Sequence, residues 1–100
     1  MTKLPTVPGY LRPGQPQGGR TPLALLVPCR PCGVWHRHGA GTMDGPYYKP
    51  GDLTHRVAHC PRPVDSYEWV RVQAEPFDPR WMRNRRRAFS VITEAYPWPA

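Results

Sequence analysis

The sequence lacks any apolar run near the 18 or so residues that a bilayer-crossing helix needs, which excludes a transmembrane helix. Its first residues lack a charged segment followed by an apolar one, so no secretory signal is read and the expected setting is cytoplasmic. Acids are scarce: seven Asp and Glu stand against fourteen Lys and Arg, for a formal charge of +7 and a pI near 9.9. That imbalance favours polyanionic partners. Isoleucine and asparagine occur once each, at Ile92 and Asn84, and arginine far outnumbers lysine. This is the bias of a GC-rich genome and carries no functional weight. Three cysteines cannot close a disulfide set, and in a reducing compartment a metal site is their better use.

Proline and glycine are abundant, at fifteen and nine residues, and leave few long uninterrupted segments. One hundred residues sustain one small domain with a modest core, for which a metal staple is a common remedy. Residues 1–21 place proline or glycine every few positions among scattered apolar residues, and are expected to form a disordered or extended arm. The alternative is an arm that wraps a partner through Tyr10, Arg12 and Arg20. Residues 22–75 are expected to form a β module. Its first strand lies between Pro22 and Pro28 and leads into the turn Cys29-Arg30-Pro31-Cys32-Gly33. Val34 to His38 returns as a second strand, a loop follows with its tip near Asp44-Gly45, and Leu53–Cys60 and Val64–Gln73 supply two more. Residues 76–100 read as a basic helix and tail. Asp78 stands as N-cap, Pro79 at the first helical position, and apolar residues recur at three- and four-residue steps up to Tyr96. The expected fold is therefore a small α+β one: a zinc-stapled antiparallel β-sheet of ribbon or knuckle type, a C-terminal α-helix and a disordered arm.

All three cysteines and all four histidines fall between Cys29 and Cys60. Structural zinc takes four Cys or His ligands, and tetrahedral geometry draws them as pairs from different chain segments. Cys29 and Cys32 form the first pair, and Cys60 adds a third ligand from a returning strand. For the fourth, His38 is the first choice, far enough from Cys32 to fold back over the metal. His36 lies on the same strand face, since side chains alternate, and is the near alternative. His59 adjoins Cys60 and would point away from it, and His55 shares the face of His59. CxxC also serves redox chemistry, but the thioredoxin type needs a helix starting at the first cysteine, which this stretch does not offer. Neither HExxH nor the deaminase pattern is present, so the zinc is expected to be structural.

The segment Cys29, Cys32, Gly33, His36, His38, Gly39, followed by His55, Arg56, His59, Cys60, resembles a CxxCGxxHxHG…HRxxHC pattern. That pattern occurs in small zinc-finger-like proteins of actinobacteria, their phages and mobile elements. The resemblance covers about a third of the chain and implies a zinc-binding module of mostly unassigned task.

Arg80, Arg83, Arg85, Arg86 and Arg87 cluster without an acid among them, after the acids Asp65, Glu68, Glu75 and Asp78. Guanidinium forks suit phosphate. On a helix they are expected to contact nucleic acid, DNA or RNA, with Arg37 and Arg56 extending the basic surface and Trp81 stacking on a base. The bland reading is a solvated face, or arginines paired with the upstream acids. The expected function is thus a non-catalytic, zinc-stabilised nucleic-acid-binding protein of bacterial or phage origin. Two rivals stand beside it. One is a protein-interaction module binding an acidic surface of a host complex such as RNA polymerase or the ribosome. The other is a small metal-dependent nuclease using His55 and His59, for which no full motif is visible.

Overall fold

The segment Pro22–Cys29 is apolar at almost every position, so both of its faces need cover, and the structure supplies it. The computed structural model describes residues 6–29, 32–56, 60 and 67–83. Its strands are β1 (Thr6–Pro13), β2 (Pro22–Cys29), β3 (Val34–Thr42), β4 (Gly45–Pro46), β5 (Leu53–His55) and β6 (Trp69–Val72), followed by one helical turn, α1 (Arg80–Arg83). The strands form a single six-stranded sheet in the order β4-β3-β2-β1-β6-β5, curled into a half-barrel. From β2, Leu23, Leu25, Val27 and Cys29 enter a core with Val7, Ala40, Tyr67, Val70 and Val72. Ala24 and Leu26 point the other way, into a second cluster with Tyr10 and Phe77.

Three expectations change. The fold is all-β rather than α+β. Of the helix expected from residue 79 to 96, the described residues hold only the four-residue turn α1, and residues 84–96 lie outside them. The capping signal was local. Asp78 does bond the Arg80 N–H through its carboxylate (2.9 Å) and the Trp81 N–H through its carbonyl (2.9 Å). Immediately before it, however, the chain is held extended beside β1 by the Phe77 N–H donating to the Leu11 carbonyl at 2.9 Å. Trp81 then serves the sheet. Its ring packs edge-on against Tyr10 (4.9 Å between centroids) and Phe77 (5.3 Å) and stacks on Trp35 (5.9 Å).

The second change concerns the arm. Residues 6–13 are not disordered but form β1, between β2 and β6. The strand divides its pairing. Thr6–Gly9 pair with Trp69–Val72 of β6, and Tyr10–Pro13 pair with Leu26–Leu23 of β2. Pro8 therefore removes one donor from a strand with two partners. Its composition suggested disorder because burial depends on what the strand meets, and Val7, Pro8, Gly9 and Tyr10 are all buried. The third change is direction: the sheet is mixed, since β1 and β6 run parallel while the other pairs are antiparallel.

Gly9 shows why this strand needs glycine. A Cβ there would stand 2.5 Å from Val70 Cγ1 and 2.8 Å from Leu25 Cδ1, both on fully buried side chains. Gly9→Ala is expected to destabilise the protein by about 1–3 kcal/mol through overpacking, read as a lowered midpoint in urea with unchanged m-value.

Candidate metal centre

β2 delivers Cys29 fully buried at its end. The turn that follows is closed by the Gly33 N–H donating to the Cys29 carbonyl at 2.9 Å. Gly33 sits at φ +69, a left-handed conformation that strains other residues, so glycine lets the chain double back here. Cys32 lies in this turn, and β3 begins at Val34. The β2–β3 register then sets which histidine arrives at the site. Cys29 pairs with Val34, Val27 with His36, and Leu25 with His38. His36 is thus one step along the shared face from Cys29. His38 is a further step on, opposite a residue four positions from Cys29, about 13 Å at strand spacing.

One ligand atom from each of Cys29, Cys32, His36 and Cys60 lies within 4.8 Å of the others, so these four are placed to hold a metal ion. The Cys29 and Cys60 sulfurs are 3.8 Å apart, and Cys60 Sγ is 3.6 Å from His36 Nε2. Burial, reinforced by the neighbouring Cys60 and Cys29 sulfurs, pushes the Cys32 thiol up to about 12. The neighbouring sulfurs thus oppose ionisation of Cys32, and a bound cation would reverse that balance by stabilising the thiolate.

Of the expected ligands, the structure brings Cys29, Cys32 and Cys60 together and seats His36, not His38, beside them. His38 is buried, with Nε2 2.7 Å from the Tyr67 hydroxyl. Tyr67 is itself fully buried, with its ring centroid 6.1 Å from His36 and 6.0 Å from His38. The sequence reading missed this residue. A tyrosine within the expected strand Val64–Gln73 carries no local mark of such a role, and only the sheet's curl brings it over β3. His55 is on the edge strand β5, with Nε2 3.0 Å from Glu68 Oε1 and its ring against Trp69. His59 lies outside the described residues.

Those of the expected basic residues that are described do not share one surface. Arg80 folds back on Asp78, with Nη2 2.7 Å from Oδ2, and that local pair raises its pKa. Arg56 lies over the Tyr48 ring (5.2 Å) and reaches the Gly39 carbonyl at 3.4 Å. Arg37 is exposed on β3 and, by alternation, on the face away from the candidate metal ligands. The side chain of Arg83 and all of Arg85, Arg86 and Arg87 lie outside the described residues.

No protein-family model, curated protein or solved structure matches the chain.

Proposed function

We propose that the protein is a zinc-stapled, non-catalytic β-sheet module that binds nucleic acid. One observation carries the metal half. A tetrahedral zinc with Zn–S near 2.3 Å and Zn–N near 2.0–2.1 Å has edges of about 3.8 Å between sulfurs and about 3.6 Å between sulfur and nitrogen, the separations found for Cys29–Cys60 and Cys60–His36. Three thiolates and one imidazole complete the coordination shell and leave no position for a reacting water, so the metal holds the fold and does no chemistry. The resemblance to small zinc-finger-like proteins of actinobacteria and their phages supports the same reading.

The nucleic-acid half rests on the charge of +7, with arginine as the dominant cation. The contacts are assigned to arginines carried by the sheet, Arg37 foremost. Native mass spectrometry of protein purified under reducing conditions is expected to show one zinc per chain. Titration with labelled single-stranded and duplex oligonucleotides is expected to show binding that falls steeply with salt, by somewhat less than one power of concentration for each phosphate bound. A metal-free folded protein would overturn the first half. The absence of oligonucleotide binding at low salt would overturn the second.

A further inference from the structure

On the sheet face opposite the metal ligands, β1, β2, β3 and the β1–β2 connection enclose an open cleft of about 470 Å³. Arg12, Gln15, Gln17, Ala24, Leu26 and Arg37 all line it. Its shape follows from the register. Arg12 pairs with Ala24, and Leu26 pairs with Arg37 and Tyr10. Two arginines therefore flank β2 diagonally, one from each neighbouring strand, across a floor that Ala24 keeps low. The β1–β2 connection forms the wall, closed by paired bonds between Gln17 and Arg20: Gln17 N–H to the Arg20 carbonyl (2.6 Å) and Arg20 N–H to the Gln17 carbonyl (2.9 Å). The Arg12 guanidinium lies over the Phe77 ring at 5.2 Å, which holds the fork in place before any ligand arrives. No carboxylate lines the cleft among the described residues.

We infer that this cleft is the nucleic-acid site, and that it takes one nucleotide unit of a single strand. The inference rests on the nucleic-acid reading above and deepens it. Two guanidinium forks with no acid between them select a phosphate-bearing ligand. Ala24 and Leu26 are themselves buried, so the apolar part of the floor open to the face of an unstacked base is the exposed Pro13 and half-buried Pro22 rings beside them, and the Gln15 and Gln17 amides offer both donors and acceptors to its edge. A base within a duplex presents no free face, so the floor selects a single strand. The volume falls within the about 300–1,000 Å³ typical of small-ligand sites, too small for more than a unit or two of the strand. An acidic peptide would satisfy the arginines but would leave the floor and the amides without a role.

The test uses the full-length, metal-loaded chain and four probes: labelled single-stranded DNA, single-stranded RNA, duplex DNA and a polyglutamate peptide. Arg37 is exposed, so R37E is the main variant, with R12Q as the second. Melting curves and zinc content confirm that each stays folded. The wild-type protein is expected to bind a single strand more tightly than the duplex. R37E is expected to weaken that binding by about tenfold or more, and both variants to flatten the salt dependence by about 0.7 of a power for each phosphate no longer bound. Wild-type binding that neither variant changes would overturn the cleft assignment and leave the nucleic-acid reading standing. Preference for duplex would overturn the single-strand assignment. Binding of polyglutamate but of no oligonucleotide would overturn both the inference and the reading beneath it.

Discussion

Stripping the metal with a chelator is expected to unfold the protein, with loss of the sheet signal in far-ultraviolet circular dichroism and recovery when zinc is returned. Structural zinc contributes an apparent 10–16 kcal/mol or so in small domains, which matches or exceeds the roughly 5–15 kcal/mol that separates a folded domain from its unfolded chain. Here the ion would tie the end of β2, the turn after it and the start of β3 to Cys60, more than two dozen residues further on. His36→Ala is expected to reproduce much of the loss, with zinc affinity falling at least a hundredfold. His38→Ala should keep one zinc per chain, because its ring nitrogen meets the Tyr67 hydroxyl rather than the ligand cluster. It should cost about 1–3 kcal/mol through the buried hydroxyl left without that partner. Zinc lost from the His38 variant and retained by the His36 variant would reverse the assignment of the fourth ligand.

Removing residues 1–13 is expected to abolish cooperative folding altogether. An arm could be cut away with little consequence, but β1 is the seam of the sheet. It buries Val7 and Tyr10, each worth about 1.5–3 kcal/mol of apolar burial, and strips water from Leu25 and Val70 on either side. Without it β2 loses one of its two partners, and β5 and β6 remain as an isolated pair, marginal in water. The shortened chain should show no sigmoidal thermal transition and no slowly exchanging amides in β6. A transition within a few degrees of the full-length protein would contradict the central place given to β1.

The candidate metal centre was the most legible part of the sequence, because ligand chemistry restricts residue type and spacing together. Cys29, Cys32 and Cys60 were readable from residue type and spacing. The shared face of His36 and His38 followed from strand alternation. The choice between them was not readable, since it depends on register: β3 returns directly along β2, so the nearer histidine meets the sulfurs. β2 was readable because an apolar run between prolines has few other fates. β1 was not, because Pro8 and Gly9 weaken a strand by local propensity while Gly9 fits between Val70 and Leu25, residues distant in sequence. The helix expectation failed in a related way. Its cap was genuine, and its apolar residues matched a helical period, yet Phe77 and Trp81 are used to cover the sheet face around Trp35 and Tyr10.

The parallel pairing of β1 with β6 also bears on the order in which the chain assembles. Thr6 meets Trp69 across about 60 intervening residues, a closure whose entropic cost is met before the pairing gives anything back. The β2–β3 hairpin needs only a turn of a few residues and forms on a microsecond scale. The rate of reaching the native state is then set by this one long-range pairing, and the chain folds slowly for its size. Substitutions in β6 that weaken the pairing should slow refolding, whereas substitutions in β4 at the sheet's edge should chiefly hasten unfolding.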